Sequence, residues 1–88
     1  MASSNDLFQM ARALCELKKT PDAKFTVGVF YRLAGGVERH RCARFLTIIR
    51  MSGKFGLVRL GRLGKLVCYK FREDADYDIE DVIRWWQR

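Results

Sequence analysis

The sequence predicts an α+β domain: three helices, a β-hairpin and a fourth helix around one hydrophobic core. Three observations lead there. Apolar residues recur at helical spacing in three stretches up to Met51. From Phe55 the pattern changes to short β-rich runs separated by glycines, and after Asp78 a helical stripe returns. A chain of 88 residues, 49% hydrophobic and 31% charged, has room for a single domain, 1–88, and is too apolar to stay disordered.

Each element has a local cause. Ser3, Ser4 and Asn5 offer N-cap oxygens for a first helix, whose stripe is Leu7, Met10, Ala11, Leu14 and Leu17. Lys18 and Lys19 suit its C-terminal dipole, and Thr20-Pro21-Asp22 ends it. Ala23 to Phe25 reads as a short strand. Thr26 caps a second helix, Val27 to Ala34, with Val29, Phe30 and Leu33 turned inward. Gly28 and the β-branched residues make that helix a weak former, so packing must hold it. Gly35-Gly36 supplies its stop.

The third helix is expected from about Glu38 to Met51. Cys42, Phe45, Leu46 and Ile49 share its inward face. The opposite face carries His40, Arg44, Thr47 and Met51, flanked by Arg41 and Ile48 on one side and by Ala43 and Arg50 on the other. Met51 and Ile48 are either exposed there or packed under the hairpin. Ser52-Gly53 closes the helix. Strands at Leu57–Leu60 and Lys65–Phe71 are joined by Gly61-Arg62-Leu63-Gly64, which puts Arg62 at the hairpin tip. The repeated Arg-Leu-Gly lacks the spacing of a phosphate loop, and no helix follows it. Asp78, with Asp81 three residues on, caps a fourth helix from Ile79 to about Gln87. Its stripe is Ile79, Val82, Ile83 and Trp86, with Trp85 off the stripe. Leu14, Phe30, Leu33, Phe45, Leu46, Ile49, Val67 and Phe71 are the expected core.

Charge is distributed unevenly. Net charge is +7, yet residues 1–23 balance to zero, residues 24–72 hold twelve cations against Glu38 alone, and residues 73–88 hold six acids against Arg84 and Arg88. A continuous cationic segment of that kind attracts a polyanion such as nucleic acid or an anionic membrane surface. The amino end has no basic stretch leading into an apolar run, and no uncharged run approaches bilayer length, so an intracellular protein without membrane contact is expected.

Other chemistries find little support. Cys15, Cys42 and Cys68 are widely spaced, with only His40 near one of them, so small buried apolar roles are expected rather than a metal site or disulfide. The single histidine lies in the basic segment and completes no nucleophile–histidine–acid set. The acids from Glu73 to Asp81 lack EF-hand spacing and are better suited to capping the last helix and keeping it off DNA. No catalytic residue, metal, cofactor or small-molecule substrate is expected.

The order helix, strand, helix, tight turn, helix, hairpin resembles the winged helix-turn-helix superfamily over residues 5–71. The resemblance rests on Phe25-Thr26-Val27 through Leu33-Ala34-Gly35-Gly36-Val37, then Cys42, Phe45-Leu46 and Ile49, then Gly56-Leu57-Val58. Small size and a lone domain are similar to compact archaeal, archaeal-viral and plasmid regulators. Many members begin the third helix with Ser or Thr where this chain has Glu38, whose carboxylate suits the helix dipole but repels a nearby phosphate.

The resemblance implies binding of double-stranded DNA, with the third helix in the major groove and the hairpin as a wing on backbone or minor groove. Carried over by position, the reading helix presents His40, Arg41, Arg44 and Thr47, and the wing presents Arg59, Arg62 and Lys65. These are also the polar positions left once the apolar stripe turns inward. Arginine forks match guanine edges, and a threonine methyl can meet thymine. His40 either contacts the nucleic acid or merely sits near the helix start. Arg32, Arg39 and Arg50 either pair with the acidic tail or touch DNA.

Two adjacent tryptophans cannot share one helix face. One seals the core, and the other is expected at a subunit interface. A homodimer is therefore expected through the first helix and the terminal element 78–88, with Ile83, Trp85 and Trp86 as interface candidates. Its reading helices would lie about one helical turn, ~34 Å, apart on a near-palindromic site. A sequence-specific transcriptional regulator is the leading expectation. The alternatives are a winged-helix protein–protein adaptor in a larger assembly, or a non-specific architectural DNA- or RNA-binding protein.

Overall fold

The computed structural model describes residues 4–87, in which four helices and three strands form a mixed α+β fold. The order is α1 (Ser4–Lys18), β1 (Phe25–Thr26), α2 (Val27–Ala34), α3 (Arg39–Ser52), β2 (Leu57–Leu63), β3 (Leu66–Phe71) and α4 (Ile79–Trp86). The sheet is antiparallel in the order β1-β3-β2, so the short β1 adds to the far side of the hairpin. No described helix is long and apolar enough to cross a membrane.

Local sequence explains most of these boundaries. The Thr26 hydroxyl accepts a hydrogen bond from the Val29 amide, starting α2 directly from β1. α2 ends at Gly35, whose amide donates to the Tyr31 carbonyl in a left-handed conformation. At α4, Asp78 accepts from the Asp81 amide and the Asp81 carboxylate accepts from the Asp78 amide, a complete capping box. Ser4 and Asn5, expected before α1, lie within it, and Ser3 lies outside the described residues. Gln87 is the cap that follows α4 rather than its last turn.

The core joins all layers. Leu7, Met10, Ala11 and Leu14 of α1 meet Phe30 of α2 and Cys42, Phe45, Leu46 and Ile49 of α3 in one buried cluster. Phe30 stacks on Phe45 with centroids 5.8 Å apart, and Phe45 meets Trp86 at 5.1 Å, which bonds α4 into the centre. On the sheet side, Phe25 stacks between Tyr69 and Phe71 at 5.8 Å from each. Of the expected core, Leu33 and Val67 are only half-buried, and Val29 is 38% exposed rather than turned inward. The helical wheel alone cannot decide this, because α2 is held on one side by β1 and on others by α1 and α3. Phe25, Val37, Phe55, Leu57 and Tyr69 complete the core from turns and strands.

The hairpin differs from its expected form. β2 continues through Gly61 to Leu63, and the reversal is a two-residue turn at Gly64-Lys65, since Leu63 pairs with Leu66. A bulge between Arg59 and Gly61 leaves Leu60 unpaired and lets the strand resume. Both points rest on glycine: Gly61 has φ 104° and Gly64 has φ 66°, conformations costly for any residue with a Cβ. Arg62 is therefore one pair back from the tip, opposite Val67, and Lys65 is in the turn rather than in β3.

Candidate nucleic-acid interface

α3 presents the candidate surface because its buried stripe sets its rotation. With Cys42, Phe45, Leu46 and Ile49 buried, His40, Arg44, Thr47 and Met51 are all exposed, as the periodicity requires. Met51 is 71% exposed, so it does not pack under the hairpin, whereas Ile48 is half-buried. The Thr47 hydroxyl donates to the Ala43 carbonyl at 3.0 Å, turning its hydroxyl back on the helix. His40 Nδ1 lies 3.2 Å from a Glu38 carboxylate oxygen. Glu38 itself makes no side-chain cap to α3, and its carboxylate lies beside His40 instead.

Arg41 stands apart from the other expected contacts. It is half-buried, and its guanidinium donates to Asp6 Oδ2 at 2.9 Å, tying α3 to the first turn of α1. In the fold it is a clamp between helices, where the helical wheel put it on the flank of the reading face. A second clamp was not legible in the sequence: Arg12 donates to the Leu33 carbonyl at 2.8 Å and to Gln9 Oε1 at 3.0 Å, joining α1 to the last turn of α2. Both depend on which residues the helix crossings bring together.

The hairpin supplies the second part. Arg59, Arg62 and Lys65 are all exposed. Along the 24–72 segment, Arg32, Arg39, Arg44, Arg50, Arg59, Arg62 and Lys65 form no ion pair among the described residues. The acidic segment is used elsewhere: Asp74 pairs with Arg72, and Glu80 and Asp81 pair with Arg84 of their own helix. The expected alternative, that Arg32, Arg39 and Arg50 neutralise the tail, is not what the fold does.

Between these two parts lies an open groove of about 740 Å³, bounded by the amino ends of α2 and α3 and by the hairpin turn. Val27, Tyr31, Leu66 and Val67 give it an apolar lining, and Glu38, Arg39, His40 and Lys65 give it polar edges. Tyr31 and Leu66 were not singled out by the sequence. The one signal for Tyr31 is its position four residues after Val27, on the same side of α2.

The tryptophans do not divide as expected. Trp86 packs on Phe45, and Trp85 packs edge-on against Phe55 with centroids 5.4 Å apart, so both are half-buried against the chain's own core. Phe55 lies in the loop after α3 and provides the second docking site that helical periodicity did not show. Ile83 is half-buried as well. Neither tryptophan is left over by the packing of α4.

The cysteines are free thiols, with Cys42 buried and Cys15 and Cys68 half-buried. Burial pushes the Cys42 thiol above its ordinary value, and the nearby Asp6 carboxylate adds to the shift. Burial likewise raises Cys15, with Lys18 opposing it. No protein-family model matches the chain, and neither the curated proteins nor the solved structures compared with it contain a match.

Proposed function

We propose that this chain is a winged helix-turn-helix protein that binds double-stranded DNA as a sequence-specific regulator. α3 enters the major groove, and the β2–β3 hairpin is the wing on backbone or minor groove. The observation that carries this reading is the set of exposed cations on α3 and the hairpin that no acid of the described chain neutralises. Folding leaves that charge facing outward, although the chain holds acids enough to pair with part of it. Charge of this density is what phosphate neutralisation and counterion release require.

The residues take distinct roles. Arg44, at the middle of the exposed face of α3, reaches base edges; His40 and Thr47 flank it. Arg59, Arg62 and Lys65 engage phosphates or a narrow minor groove. Arg41 is left out of the reading set because Asp6 holds it. The protein acts as a dimer in which α1 contributes Phe8, 45% exposed, alongside the accessible part of Ile83. Sedimentation at high micromolar concentration tests that assembly, and a monomer there would end it.

Selection of bound duplexes from a random pool, followed by salt titration on selected and random sequences, tests the function. A regulator enriches a near-palindrome and binds it more tightly than random duplex. Equal binding of all duplexes would make the protein architectural instead. No duplex binding at ordinary salt would leave the basic face to an acidic protein partner.

A further inference from the structure

Resting on the DNA-binding reading above, we infer that the groove between the amino ends of α2 and α3 and the hairpin turn receives a single unstacked nucleobase from the bound strand. The groove gathers apolar side chains between the exposed cations of α3 and of the hairpin: Tyr31 is 40% and Leu66 47% exposed, and Val27 and Val67 lie beside them. A phosphate above that lining would lose water and gain no donor from the floor, which is costly for a charged group. A nucleobase has the opposite character, with apolar faces and a polar edge. Its face stacks on the Tyr31 ring, and its edge meets Glu38, Arg39 and His40 on the rim.

The position of the groove brings a strand across it. His40 belongs both to the outward face of α3 and to the groove, and Lys65 belongs both to the hairpin turn and to the groove. A strand held by α3 on one side and by the hairpin on the other therefore passes over the opening. A base still paired in the duplex cannot enter. The site thus favours DNA carrying an unpaired base, because the cost of unstacking has already been met there.

The full-length chain is titrated into two labelled duplexes, one fully paired and one identical except for a single unpaired 2-aminopurine. The unpaired duplex is expected to bind roughly tenfold more tightly, the order of one base–aromatic stack, with quenching of 2-aminopurine fluorescence. Tyr31→Ala and Leu66→Ser, both at exposed positions that leave the core intact, bring that affinity down to the paired level and abolish the quenching. Tyr31→Phe keeps both. Equal affinity for the two duplexes, unchanged fluorescence, or the same loss on both duplexes from Tyr31→Ala would overturn the base-receiving groove while leaving duplex binding in place. Binding of neither duplex would overturn the DNA reading itself.

Discussion

α3 and α4 begin from similar sequence material and end with opposite electrostatic character. Each is amphipathic, each buries aliphatic residues in the same core, and the two meet where Phe45 packs on Trp86. On α4 the charged residues serve the helix itself: Asp78 and Asp81 cap it, and Glu80 and Asp81 pair with Arg84. On α3 the amino end has no side-chain cap, and Arg44 and Arg50 pair with nothing among the described residues. A helix whose charges are spent on its own termini is a structural part. One whose charges are left over is available for a partner.

The largest expected effect comes from cutting the junction between the two helices. Phe45→Ala removes a ring 1% exposed that touches both Phe30 and Trp86. It should cost about 3–5 kcal/mol in chemical denaturation, a large part of the stability of a domain this size. A loss under ~1 kcal/mol would mean that α4 does not depend on α3, since surface substitutions fall in that range.

Next come paired arginine substitutions that separate binding from stability. Arg44→Ala should lower affinity for the preferred duplex by roughly 1–3 kcal/mol and relax specificity at one base position. Its denaturation midpoint should stay put. Arg84→Ala should leave DNA binding unchanged, because that side chain serves Glu80 and Asp81. Lys65→Ala, at the hairpin turn, should weaken all duplexes similarly and reduce the salt slope by about one. Binding losses from Arg84→Ala equal to those from Arg44→Ala would erase the distinction between the two helices.

The caps give a smaller contrast. Asp78→Ala breaks a complete capping box and should cost about 1 kcal/mol. Glu38→Ala removes a carboxylate that caps nothing and should cost less, while raising duplex affinity by removing an acid from the basic face. Equal destabilisation by the two would show that Glu38 supports α3 in a way its hydrogen bonds do not reveal.

The smallest effect is a slope with pH. Burial holds the Cys42 and Cys15 thiols above their ordinary value, so the folded chain binds those protons more tightly than the unfolded chain does. Their contribution is complete below the unfolded thiol value, about 8.5, and is lost as pH rises through it toward the raised values. The urea midpoint should fall on going from neutral to alkaline pH, and Cys42→Ala should flatten part of that fall. A midpoint that rises with pH would contradict it.

Much of the architecture is legible before any tertiary contact is known. The stripe of Cys42, Phe45, Leu46 and Ile49 sets the rotation of α3, and with it the exposure of His40, Arg44 and Thr47. Thr26 and Asp78 mark helix starts, since a short polar side chain there completes amides of the first turn. The separation of twelve cations in 24–72 from six acids in 73–88 is likewise a property of the sequence. These features depend on neighbours within a turn or two, or on composition alone.

Only the tertiary structure decided the rest, and the reason is distance along the chain. Arg41 left the exposed set because Asp6, 35 residues away, came within 2.9 Å. Trp85 turned to the core because Phe55 stood beside it in the fold. The bulge at Leu60 put the hairpin turn on Gly64-Lys65, because beyond it Gly61 rather than Leu60 pairs with Cys68 and Leu63 then meets Leu66. The groove exists only where α2, α3 and the hairpin converge, so no periodicity within one element could announce it. Sequence determines what each element offers, and packing determines which of those offers are taken up inside the molecule and which remain for a partner.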